Sequence, residues 1–222
     1  MKIGKIFLLF ILIFSSKLLF SQQISPFLDE IAFHKMAHSG TANNYLGIDG
    51  NPYLNKEFVE GLCDLKDSTD AKLPLRYNIY SDAIEYQLND VIYAVGNPQL
   101  LEKVIIGKSE FEYLPSIEKG GYFEIIERGK CLLAQKRSVK FYQAEAAKPI
   151  EGISKPARFV NESDVFYIVF SESKVFKITN TKSVLQALQD QKPKIESFID
   201  QEKIKNTKKE NLIKIVKYYN SL

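Results

Sequence analysis

From about Val59 to Ile178 the apolar residues recur at every second position, and turn residues interrupt them at short intervals. This is how an antiparallel sheet is written. Leu73, Leu75, Tyr77 and Ile79 alternate with Pro74, Arg76 and Asn78, and after Ser81-Asp82 the pattern resumes with Ile84, Tyr86 and Leu88, which predicts a hairpin. Asn89-Asp90 turns into Val91–Val95, and Gly96-Asn97-Pro98 closes that strand. Further strands are expected at Lys103–Ile106, Glu110–Leu114, Tyr122–Glu127, Cys131–Tyr142, Val165–Phe170 and Lys174–Ile178. Links as short as Gly107-Lys108 join antiparallel neighbours, because a parallel pair needs a crossover of a dozen residues or more. The pattern therefore predicts a meander. Prolines and glycine between Ala144 and Ala157 mark the clearest internal break.

After Ile178 the apolar period becomes helical. Thr207-Lys208-Lys209-Glu210 reads as a capping box, with Leu212, Ile215, Val216 and Tyr219 following at helical spacing. Upstream, Asp190 reads as a cap and Pro193 as a first-turn residue of a helix carrying Ile195, Phe198 and Ile199 on one face. A shorter helix is expected around Val184, Leu185 and Leu188. These faces need an apolar surface to cover, and the sheet is the one large enough. The fold class expected is α+β: an antiparallel β-meander, half-barrel or sandwich-like, followed by two or three packed C-terminal helices.

The first residues follow neither period. Residues 1–22 have a basic start at Lys2 and Lys5, nine consecutive apolar residues from Ile6 to Phe14, and a polar exit at Ser15-Ser16-Lys17. That order reads as a secretory signal peptide, since a membrane span needs ~20 apolar residues. Cleavage is expected near Ser21 or Gln22. No cysteine follows the run, so the expectation is a soluble exported protein rather than a lipoprotein. The organisation expected is thus 1–22 signal peptide, 23–55 loop-rich lead-in, 56–178 antiparallel β domain and 179–222 helical cover of the same domain. The formal charge of +3 is owed to the three leader lysines, and a balanced mature chain argues against nucleic acid as a partner.

An exported compartment permits Cys63 and Cys131 to form a structural disulfide, the alternative being two buried thiols. A nucleophilic cysteine needs a histidine base, and the two histidines, His34 and His38, lie together near the mature N-terminus. With Glu30 they share a helical face of metal-binding type, but rigid support for a metal is not evident there, so no metal and no cofactor are expected. Glu110 with Glu112 and Glu124 with Glu127 alternate with strand apolars, which places them on a solvated sheet face rather than in a catalytic pocket. The chain has no phosphate-cradling glycine loop, G-x-S-x-G elbow or H-E-x-x-H. No catalytic residue is therefore assigned, and the chain is not read as an enzyme. Two features suit binding. Tyr77, Tyr80, Tyr86, Tyr93, Tyr113, Tyr122 and Phe111 supply aromatics on neighbouring strands, most of them expected in the core. Lys203, Lys205, Lys208, Lys209, Lys214 and Lys217 form a basic cluster, expected to be the solvated side of a helix.

Several stretches carry a resemblance: Asn51-Pro52-Tyr53-Leu54-Asn55-Lys56-Glu57-Phe58-Val59-Glu60-Gly61, Leu73-Pro74-Leu75-Arg76-Tyr77-Asn78-Ile79-Tyr80, Lys155-Pro156-Ala157-Arg158-Phe159-Val160 and Tyr218-Tyr219-Asn220-Ser221-Leu222. Through them most of the mature chain resembles a family of exported flavobacterial-type (Bacteroidetes) proteins of unknown function. The resemblance implies export by a bacterium and a shared fold, and brings no established activity. Ile195-Glu196-Ser197-Phe198-Ile199 looks like a piece of longer relatives that precedes an outer-membrane barrel, which implies work near the outer membrane. At its cysteine positions this chain departs from the apolar residues of that family. The function expected is a non-catalytic cell-envelope or interaction protein, in the periplasm or at the extracellular or outer-membrane periphery, holding an envelope protein. The alternative is a small-ligand or glycan-binding module. The first needs an exposed aromatic patch, and the second a concave aromatic cleft with convergent polar groups.

Overall fold

The structure is a computed structural model that describes residues 45–66, 70–146 and 154–222. The signal-peptide reading of 1–22, and Glu30, His34 and His38, lie outside the described residues. The strands are β1 (Val59–Leu65), β2 (Ala71–Asn78), β3 (Ala83–Leu88), β4 (Val91–Ala94), β5 (Leu101–Ile106), β6 (Ser109–Tyr113), β7 (Tyr122–Glu127), β8 (Leu132–Lys136), β9 (Val139–Tyr142), β10 (Arg158–Asn161), β11 (Val165–Ser171) and β12 (Lys174–Ile178). Three helices follow: α1 (Thr181–Ala187), α2 (Lys192–Gln201) and α3 (Lys209–Ser221). Ten strands form one open antiparallel sheet in the order β12-β11-β8-β7-β6-β5-β1-β2-β3-β4, and β9 with β10 makes a separate hairpin. The α+β class with a helical cover is what the apolar periods require.

The meander has one return that the periods do not encode. After running outward from β1 to β4, the chain comes back to place β5 beside β1. The antiparallel pairings make β4 and β5 run in the same direction, four strand spacings or about 19 Å apart along the sheet. Only residues 95–100 connect them, three of them in a 3-10 turn. So short a crossover is feasible only if the sheet is strongly coiled. The side chains agree: Cys63, Leu75, Tyr86, Val95, Leu101, Val104 and Phe111 from both sides of the return share one buried cluster.

One row across the sheet shows how its inner face is divided. Ala71, Cys63, Val104, Phe111, Glu124, Gln135, Phe166 and Ile178 are successive cross-strand partners and so share a face. At one end of the row the coil buries its own apolar side chains. At the other, Leu133, Phe166, Ile168, Phe176 and Ile178 are covered by Val184, Leu188, Ile195, Leu212, Ile215, Val216 and Tyr219 of the helical segment. Burying each such side chain contributes about 1.5–3 kcal/mol, and this is the main reason the short amphipathic helices hold together. On the opposite face, Phe123, Ala134, Tyr167 and Val169 pack with Ile117.

The helix caps differ from the sequence reading. Thr207 to Glu210 makes no capping box: α3 begins after Lys208, which has no side-chain cap, and Asn206 Oδ1 accepts from the Lys208 N–H instead. The box forms at α1, where Asn180 Oδ1 accepts from the Ser183 N–H while Ser183 Oγ accepts from the Asn180 N–H. Pro193 does occupy the first turn of α2.

Candidate binding surface

Three polar assemblies hold the coil in shape, and each disposes of groups that could otherwise act as chemistry. Residues 51–58 run alongside the end of β2, where Tyr53 forms an antiparallel bridge with Asn78, fastened by the Leu54 N–H to the Tyr77 carbonyl (3.0 Å) and the Ile79 N–H to the Pro52 carbonyl (2.9 Å). Beneath them Arg76 stacks between the rings of Tyr53 (3.7 Å) and Phe58 (4.2 Å). Its Nε and Nη2 donate to Glu85 Oε2 at 3.1 and 2.5 Å, and its Nη1 to the Lys56 carbonyl at 3.1 Å. Asn78 Nδ2 donates to the other Glu85 oxygen at 2.9 Å. Burial, with Glu85 adding, pushes the Tyr53 hydroxyl up to about 12.

The second assembly closes the coil. Asp82, in the β2–β3 turn, accepts from Tyr77 Oη (2.7 Å), the Tyr122 N–H (3.3 Å) and Lys136 Nζ (2.7 Å), so a turn near one edge is tied to β7 and β8. Gly121 makes room for it. At φ +151° it is in a conformation that L side chains rarely adopt, and a Cβ there would overlap both Asp82 Oδ2 and Lys136 Nζ.

The third lies where the inner row turns polar. Glu124 accepts from Ser109 Oγ (2.9 Å) and from Arg137 Nε and Nη2 (3.0 and 2.5 Å), with Lys209 Nζ 3.8 Å away. Gln135 Nε2 donates to Asp164 at 2.7 Å. Glu124 is therefore buried on the inner face, which corrects the solvated-face reading: its alternation with apolar residues is real, but both faces of β7 are covered. Glu110 and Glu112 lie on the other side of the sheet and clasp Arg128.

The other sequence candidates fall as follows. Cys63 and Cys131 are free and buried, in different clusters, and burial pushes each thiol up to about 12. Among the described residues no group of three metal-ligating side chains is present. Lys209, Lys214 and Lys217 of the basic cluster are engaged by Glu124, Glu202 and Glu127. Tyr77, Tyr86, Phe111 and Tyr122 are core, and Tyr80 is the exposed member of the aromatic set at 45%.

Tyr80 belongs to a cluster the sequence reading did not assemble. Its ring lies 5.1 Å from Phe159 and 6.2 Å from Phe141 on the β9–β10 hairpin, and 6.3 Å from Tyr45 of the lead-in. Tyr45 in turn lies 5.1 Å from Phe159. The lead-in is fixed there by the Asp49 N–H to the Ala157 carbonyl (3.0 Å) and the Phe159 N–H to the Asp49 carbonyl (2.8 Å). Gly50, at φ +83°, follows, with no space for a Cβ beside the Phe159 backbone. Within the described residues the large apolar side chains that remain exposed are Leu46 (74%), Tyr80 (45%) and Val160 (39%). Leu46 is next in the chain to Tyr45, and Val160 to Phe159. The hairpin itself was missed because Arg158–Asn161 is short and follows a proline-rich stretch, and because Cys131–Tyr142 reads as one strand although it breaks at Arg137-Ser138.

The chain matches no protein-family model, and no curated protein or solved structure is significantly similar to it.

Proposed function

We propose that this chain is an exported, non-catalytic protein of the cell envelope that holds a protein partner on its aromatic end. The observation that carries the reading is the exposure of Tyr80 within, and of Leu46 beside, a ring cluster built from three separate segments, with Val160 exposed on the reverse face of the same hairpin. Such side chains cost free energy in water and contribute most when a partner covers them, and aromatic residues and arginine dominate binding hot spots. The order of charged, apolar and polar residues in 1–22 supports export, to the periplasm or the outer-membrane periphery.

The test places a photo-crosslinking benzoylphenylalanine at Leu46 or Tyr80 in the producing bacterium, with Lys217 on α3 as the control position. A discrete adduct at the first two positions, absent at Lys217 and lost with Phe141→Ser, is expected. No adduct, or the same adducts at Lys217, overturns the reading. An N-terminus near Ser21–Gln23 on envelope material is the companion result expected for export.

A further inference from the structure

The β9–β10 hairpin has a second face, turned away from the ring cluster. Tyr142 pairs with Arg158 and Lys140 with Val160, so these four side chains stand together on the side opposite Phe141 and Phe159. Lys140 Nζ lies 5.2 Å and Arg158 Cζ 4.9 Å from the centre of the Tyr142 ring. The chain has four arginines. Arg76, Arg128 and Arg137 are each paired with carboxylates. Arg158 rests on the ring, and among the described residues it has no carboxylate partner and its guanidinium makes no hydrogen bond. The ring orients the cation without consuming its hydrogen-bonding capacity, which is the arrangement that suits capture of an external carboxylate.

Resting on the reading of this end as the partner-holding one, we infer that this outward face takes an acidic, extended segment of the partner protein. A strand added beside β9 presents alternate side chains to opposite faces, so one that alternates carboxylate and apolar residues sets its carboxylates on the side of Lys140 and Arg158 and its apolar side chains on the side of Phe141. The face is a poor match for a polyanion or a membrane surface: among the described residues it offers two cations without a carboxylate partner, and the exposed Asp49 is held backbone to backbone against Arg158. The topology supplies the remaining contacts. β10 is flanked by Asp49 on its outer side, whereas β9 has no strand beyond it among the described residues, so an incoming segment can add to its edge.

The probe is a fluorescent six-residue peptide alternating glutamate and valine, with its glutamine counterpart, titrated against the mature chain at low salt by anisotropy. Binding of the acidic peptide, weakened by salt and absent for the glutamine form, is expected. Lys140→Gln with Arg158→Gln is expected to weaken it about fivefold, while Lys203→Gln with Lys205→Gln leaves it unchanged. Equal binding of the glutamine peptide, no effect of the Lys140/Arg158 pair in a protein that melts normally, or preference for heparin or phosphatidylglycerol vesicles each overturns the inference. If the peptide fails while the adducts at Leu46 and Tyr80 persist, the chemistry assigned to the partner is wrong and the docking end stands. Loss of both removes the docking end as well.

Discussion

Gly121→Ala tests whether the coil is held shut by Asp82. The substitution forces an L residue to φ +151° and pushes a methyl group onto Asp82 Oδ2 and Lys136 Nζ. Backbone strain of this kind costs about 1–3 kcal/mol. Displacing Asp82 also deprives the buried Tyr77 hydroxyl of its charged acceptor, worth about 1.5–3 kcal/mol. The expected total is about 3–5 kcal/mol, measured by urea unfolding. The control is Asp82→Gly rather than Ala, because Asp82 sits at φ +52°, which glycine tolerates. In that background Gly121→Ala should cost only its strain, so the two changes together should cost about 2 kcal/mol less than their sum. Equal costs of Gly121→Ala with and without the Asp82 side chain would refute the reasoning, since the carboxylate would then hold nothing.

Three further outcomes are expected. Arg76→Met strands the Glu85 carboxylate, whose side chain is 2% exposed, and should cost about 3–5 kcal/mol in denaturant. Adding Glu85→Leu should recover part of that loss, and a double variant less stable than Arg76→Met would contradict the pairing. Lys177 and the Tyr167 hydroxyl hydrogen-bond Glu118 and hold its carboxyl below the usual carboxylate range. Its folded value is lowered, so its contribution is present at neutral pH and lost as pH falls through and below that range. Glu118→Gln should flatten the acid limb of stability slightly, the group being largely solvent-exposed, and an unchanged limb would count against the bond. Cys63 and Cys131 should resist a thiol reagent such as dithionitrobenzoate in native buffer at pH 8 and react together on unfolding. Rapid native reaction of either would contradict their burial.

Period-two alternation located the strands of the large sheet because each strand's own side chains must sort between two faces, and that demand is local. Asn89-Asp90 was legible for the same reason: both residues adopt positive φ in a tight turn, at 49° and 62°, as their side chains allow. What the pattern does not carry is which strands meet. The return of β5 to β1 and the bond from Asp82 to Tyr122, 40 residues away, follow from coiling of the whole sheet. Glu124 misled because one-dimensional alternation tells that two faces exist and not that both are covered. The ring cluster was illegible because its members come from the lead-in, a turn and two short strands, each with too few residues to show a period. Of the six clustered lysines only Lys209, Lys214 and Lys217 fall on α3, each with a carboxylate neighbour, while Lys203, Lys205 and Lys208 lie in the connection before it, where an apolar period cannot show that the helix has not yet begun.

The clasp between Asn220 and Cys131 bears on the order of events when the polypeptide is made or threaded from its N-terminus. Asn220 Oδ1 accepts from the Cys131 N–H at 3.1 Å and its Nδ2 donates to the Cys131 carbonyl at 3.2 Å, across 89 residues. Leu133 on β8 emerges long before α3, whereas α1 follows β12 directly, so the part of the inner wall on β7 and β8 stays wet until Lys209–Ser221 arrives. During that interval it is a surface for chaperones or for aggregation. Slow passage between Ile178 and Asn220 should therefore endanger yield more than an equal delay earlier, where the coil can bury its own side chains as they appear.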